Sequence, residues 1–126
     1  MMTTERKNYP HLAQPVGPYV QAVRHDGLLF LSGLTALGSS AQGRSVAEQL
    51  GAICQAIASV ARSESTDLNS LVKVTLFVTN LGFVRELRAA WNEHLGDCSA
   101  MSSFVKIGKL LSPDVLVEVE AVLALP

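Results

Sequence analysis

Apolar positions along the chain repeat with two different periods, and the switches between them mark out the elements. Val46, Leu50, Ile53, Ile57 and Val60 recur at spacings of 4, 3, 4 and 3, the stripe of one helical face. Ser45 is a good N-cap for that helix, and Glu48 three residues later completes a capping box. The helix is predicted to end near Ser63, before the polar stretch Ser65-Thr66-Asp67. Over residues 71–79 the period falls to two, with Val72, Val74, Leu76 and Val78 on one strand face and Lys73, Thr75, Phe77 and Thr79 on the other. Helical spacing returns over residues 83–95 through Val84, Leu87, Trp91 and Leu95, and Gly96 stops it.

Shorter signals complete the pattern. Gly17-Pro18 is a turn, followed by a predicted strand over residues 19–23. His25-Asp26-Gly27 is a hairpin turn, and residues 28–31 form a second strand closed by Ser32-Gly33. Residues 34–44, rich in Gly, Ser and Ala, read as a loop. After the second helix come a short strand over residues 102–107, a turn holding Pro113, and a long strand over residues 115–125. Residues 1–15 are polar, without periodicity, and read as a flexible arm; residues 16–126 read as one domain. The order is β-β-α-β-α-β-β. Helical crossovers between strands imply a partly parallel sheet with both helices on one face. No third helix covers the other face, so oligomerisation through it is expected.

Composition narrows the function. Apolar residues make up 48 % of the 126 and charged residues 17 %, a low charged share that suits either apolar surface hidden between subunits or a dense core. A net charge of −1 gives no electrostatic platform for nucleic acid. Cys54 and Cys98, 44 positions apart, lack other ligands at metal spacing. The polar first eleven residues carry no signal peptide, and no apolar run reaches the length of a membrane span. A reducing, cytoplasmic setting is expected.

Glu118 and Glu120 are the anomaly, lying two apart in an otherwise apolar strand. They share a face about 7 Å from each other. A carboxylate in a dry place needs a partner, a cation or a cavity. The structural alternative is an ion pair with Lys73, Lys106 or Lys109. Tyr19, behind a rigid turn, is either a pocket wall with a hydroxyl donor or simple packing. Ser32 offers a hydroxyl or caps a strand end. His11, His25 and His94 read as surface residues, and Trp91 as core or interface.

Four segments in order resemble the Rid family of reactive-intermediate (imine) deaminases, also called YjgF. Gly17-Pro18-Tyr19-Val20-Gln21-Ala22 is similar to the family's opening Gly-Pro-Tyr-Ser/Val-Gln-Ala. Leu29-Phe30-Leu31-Ser32-Gly33 resembles its second strand. Residues 68–79 are similar to its central segment, Leu-Asp-Asp-Val-Val-Lys-Thr-Thr-Val-Tyr-Leu-Thr, and Val117-Glu118-Val119-Glu120-Ala121 to its closing Val-Glu-Ile-Glu-Ala. The resemblance implies a chorismate-mutase-like α+β fold, a homotrimer with ligand pockets between subunits, and hydrolysis of small 2-imino acids without metal or organic cofactor. It implies that Tyr19 and Ser32 line the pocket and that Glu118 holds the attacking water. The family's carboxylate-gripping arginine lies in Pro-Ala-Arg-Ser/Thr; here that stretch is Ser99-Ala100-Met101-Ser102. Met101 takes the arginine's place, and Ser103 takes that of a cysteine common in deaminating members. Alignment through Trp91 and Leu95 puts Arg88 where the family often has a pocket asparagine, as a replacement cation or a solvated helix residue. The expectation is a hydrolase of a small imine or enamine other than the usual 2-imino acid; the alternative is a trimeric metabolite-binding or regulatory protein. Some relatives are described as ribonucleases, a reading that the absence of a basic stripe and an aromatic ladder does not favour.

Overall fold

The computed structural model describes residues 3–96 and 98–126. Among them, six strands form one sheet: β1 Thr4–Lys7, β2 Ala22–His25, β3 Leu28–Leu34, β4 Leu71–Val78, β5 Met101–Lys106 and β6 Val117–Ala124. Two helices, α1 Val46–Ser63 and α2 Val84–Leu95, complete the layer order. Across the sheet the strands run β1-β2-β3-β6-β4-β5. Only β4 and β5 pair in parallel, joined by α2 as the crossover; the other pairs are antiparallel.

Both helices lie on one face. The core joins Leu50, Ile53, Ile57 and Val60 of α1 and Leu87 and Leu95 of α2 to strand residues such as Leu29, Leu76, Val119 and Leu123. The stripe predicted for α1 is buried throughout, and Ser45 caps it by accepting from the Glu48 N–H at 3.1 Å. Along β6, Val117, Val119, Ala121 and Leu123 are buried under the helices while the residues between them face the other way. That second face carries Leu28, Phe30 and Val105 exposed, Phe30 by 44 %.

Two expectations are corrected. The first concerns the arm, whose residues 1–2 lie outside the described residues. Thr4–Lys7 is an edge strand pairing with β2, and Tyr9 behind it is 5 % exposed. The Gln21 side chain holds this segment, accepting from the Tyr9 N–H and donating to Ala13 O at 2.7 Å, while Asn8 Oδ1 accepts from Gln21 N at 2.9 Å. A polar edge strand exposed on both faces, as Thr4–Arg6 is, buries no alternate apolar residue and so gives no periodic signal. Residues 19–21 are correspondingly irregular, with Tyr19 N–H turned onto Gly17 O at 2.8 Å, and the strand begins at Ala22. The second correction is in β4. Leu71 faces Leu123 and Lys73 faces Val122, so Val72 is the extra residue of a bulge and is exposed. Leu71, not Val72, shares the helix-side face with Val74, Leu76 and Val78.

The N-terminal segment is latched to the end of α1. Lys7 Nζ lies 2.7 Å from Glu64 Oε2, and Tyr9 Oη donates to the same oxygen at 2.8 Å. Burial opposes charge on Glu64, but hydrogen bonds from Lys7 and Tyr9 and the Lys7 charge outweigh it and lower its pKa. The bond to Glu64, opposed by burial, raises that of Lys7. A lowered acid contributes stability that is present above the ordinary glutamate range and is lost as pH falls through the folded-state value. A raised lysine contributes stability that is lost as pH rises through its folded-state value. Glu64→Gln is therefore expected to cost about 1 kcal/mol near neutral pH, the low end for a charged hydrogen bond open to solvent. It should also flatten the acid limb of stability against pH; chemical denaturation across that range measures both.

Candidate functional site

Glu118 comes from the open face of β6, opposite Phe77 of β4. Its side chain is half-buried, and burial first, then the Glu120 charge, raises its pKa. Among the described residues no side chain bonds to its carboxylate, and the ion pairs found are those of Lys7 with Glu5 and Glu64. The pairing of Glu118 or Glu120 with Lys73, Lys106 or Lys109 is thus not formed. Glu120 is exposed and faces Thr75. The two carboxylates share a face as their spacing required, yet only Glu118 is partly shielded from water.

Beside Glu118 lies the end of β3. The Glu118 side chain rests against Gly33. Ser32 Oγ donates to Val20 O at 2.7 Å, so its proton is already used and its oxygen remains only as an acceptor. The Ser32 N–H bonds to Gln21 O at 2.9 Å, tying this strand end to the segment carrying Tyr19. The Tyr19 ring packs over Gly17, half-exposed, and its hydroxyl accepts from the Val16 N–H at 3.4 Å. Ser32, Gly33 and Glu118 therefore sit together at the end of β3, and Tyr19 belongs to the segment tied to that strand end.

Met101 and Ser103 share the open face but sit at the far edge. Met101 is 66 % exposed and is in register with Lys73, while Ser103 is in register with Thr75. Glu118 is in register with Phe77. Met101 is thus two strands over and four residues along from Glu118, roughly 16 Å between Cα atoms at strand spacings of ~4.8 Å and ~3.3 Å rise. Ser103, two residues along, is about 12 Å away by the same spacings; within one protomer a small ligand on Glu118 does not reach Met101.

Arg88 is on the other face. Its guanidinium lies 5.9 Å from the centroid of the Phe104 ring, and Phe104 and Ser102 point to the helix side, in register with Leu76 and Val74. There Arg88, Trp91, Asn92, Ser102, Phe104 and Leu76 line a hollow of about 360 Å³. Within one protomer the sheet separates Arg88 from Glu118. Among the described residues no three His, Cys, Asp or Glu side chains converge as a metal site, and no helix is long and apolar enough to cross a membrane. Cys54 is buried, which pushes its thiol up to about 12.

The pattern matching the family described as Endoribonuclease L-PSP covers residues 10–125. The chain belongs to this family, the Rid or YjgF family. A RutC family protein of Aquifex aeolicus is 31 % identical over 90 % of this chain and 93 % of its own. The mitochondrial protein mmf2 of Schizosaccharomyces pombe is 33 % identical over 86 % and 88 %. The Rid family protein YyfA of Yersinia pestis superposes with a TM-score of 0.87, covering 98 % of this chain and 100 % of that one, at 21 % identity. The architecture is accordingly the chorismate-mutase-like α+β fold of Rid proteins.

Two buried glutamines went unread in the sequence. Gln21 sat inside the Rid signature without an assigned role. Gln49 is fully buried on α1; it donates to Arg44 O and Asp114 O at 3.0 and 2.9 Å and accepts from Leu116 N–H at 2.9 Å. An amide three positions after Val46, on the buried stripe, was the available signal.

Proposed function

We propose that this protein hydrolyses a small reactive imine or enamine, with Glu118 as the group that holds and deprotonates water. The half-buried, unpaired carboxylate carries the reading: its raised basicity suits a general base. Water adds to the C=N carbon as Glu118 takes its proton. The proton then goes to nitrogen, giving a carbinolamine; the hydroxyl proton passes through Glu118 to the amine as the C–N bond breaks, leaving a carbonyl and ammonia. Tyr19 and Ser32 wall the same side of the cleft.

The working unit in this reading is a homotrimer in the cytoplasm. Its subunits bury Phe30, Leu28 and Val105 and bring the Glu118 side of one protomer against the Met101 and Ser103 edge of the next. The roughly 16 Å between Met101 and Glu118 in one chain supports a shared cleft. Met101 stands where Rid deaminases carry their carboxylate-binding arginine, and a thioether supplies neither charge nor donor. Substrates bearing a 2-carboxylate are therefore disfavoured.

Ammonia release from freshly generated 2-iminopropanoate tests this. The parent is expected to be slow, and Met101→Arg faster by about a hundredfold or more, the scale of a ~3 kcal/mol charged contact in a closed site. If neither protein works, the trimeric metabolite-binding reading replaces the enzyme.

A further inference from the structure

Glu118 reaches its place across a glycine. In β3, Leu31 faces Ala121 of β6 and Leu34 faces Val119, so Ser32 and Gly33 fill a space that one residue of β6 spans. A bulge of this kind re-aims the side chains around it. Ser32 fixes one side through its bonds to Val20 O and Gln21 O. On the other side, a Cβ placed on Gly33 would stand 2.8 Å from Cδ and 3.1 Å from Cγ of Glu118 and would collide with Oε1. Gly33 is not among the glycines with positive φ. What the position requires is empty space, not glycine's backbone freedom.

No polar partner holds the Glu118 carboxylate among the described residues, so shape alone selects its rotamer. We propose that Gly33 is a positioning residue: the Ser32-Gly33 bulge is a slot fitted to the Glu118 side chain, and it keeps that carboxylate laid over β3 instead of turned into water. The inference rests on the reading of Glu118 as the water-holding group, but its test needs no turnover.

The test is a double-mutant cycle on the full chain. Thermal midpoints are measured for the parent, Gly33→Ala, Glu118→Ala and the double variant. Gly33→Ala is expected to shift the midpoint in the parent, where the end of the Glu118 side chain must swing aside, by a different amount than when residue 118 is alanine, because contacting residues couple. Equal shifts in the two backgrounds overturn the slot. If Gly33→Ala alone does not fold, a folded double variant is the same expected result, and failure of both overturns it. Carboxyl NMR titration gives a second readout. Glu118 should titrate lower in Gly33→Ala, as its carboxylate moves into water, and an unmoved midpoint contradicts the proposal. Coupling observed in a protein that hydrolyses no imine would leave the slot standing and remove the enzymatic reading.

Discussion

Replacing Glu118 by glutamine is expected to lower imine hydrolysis by about 10²–10⁴-fold, the usual contribution of a positioned general base, while leaving the fold intact. Glutamine keeps the shape that fits over Gly33 and removes the charge that burial and Glu120 disfavour. The sign for stability follows from linkage. A carboxyl whose folded-state pKa is raised contributes most below the ordinary glutamate range, and that contribution is lost as pH rises through the folded-state value. Near neutral pH the charged Glu118 therefore opposes folding, and Glu118→Gln should unfold at a slightly higher temperature than the parent. The advantage should vanish at acid pH. Loss of activity with gain of stability is what distinguishes a group retained for chemistry. A glutamate serving as a structural tie would lose stability on the same change. Rates of ammonia release and thermal melts at neutral and acid pH measure both halves.

The largest effect on stability is expected at Gln49. Gln49→Leu keeps the volume but leaves Leu116 N–H and Arg44 O without their partner, and Asp114 O with the Gly43 N–H as its remaining donor. Orphaned backbone groups away from water cost roughly 1–3 kcal/mol each, so with two orphans a loss of about 3 kcal/mol is expected. That is a third or more of the stability of many domains this size, and it corresponds to a fall of about 10–20 °C in midpoint. Because Leu116 immediately precedes β6, the same change should loosen the strand that carries Glu118. Urea denaturation measures it; a loss under 1 kcal/mol would show that water replaces the amide.

The contrast between Gln49 and Val46 shows what the sequence could convey. A helix reads from its apolar stripe, and α1 follows its stripe to the last buried valine. The polar member of the stripe is silent until the carbonyls it serves are in place, because those come from residues 44 and 114. Likewise the alternation in β4 was real, but a one-residue bulge at Val72 moved the face of its first residue, and nothing in local spacing announces a bulge. Glu118 was legible as a charge among valines. The glycine that accommodates it was not, since the two meet only through the β3–β6 register. Arg88 could be placed on a helix by pattern, but the face it serves depended on how β5 docks beside β4. The sheet therefore separates it from Glu118 in its own chain, a relation that alignment alone could not supply.

Subunit complementation bears most directly on a cleft shared between protomers. The parent carries Glu118 but no arginine at position 101; a Met101→Arg/Glu118→Gln double variant carries the arginine without the carboxylate. Neither alone should release ammonia from 2-iminopropanoate at an appreciable rate. Co-expressed as mixed oligomers, they should gain activity, because an arginine from one protomer meets Glu118 of its neighbour. If Met101→Arg is active alone but the mixed oligomers stay as inactive as their components, both groups act within one chain, and the shared cleft is wrong.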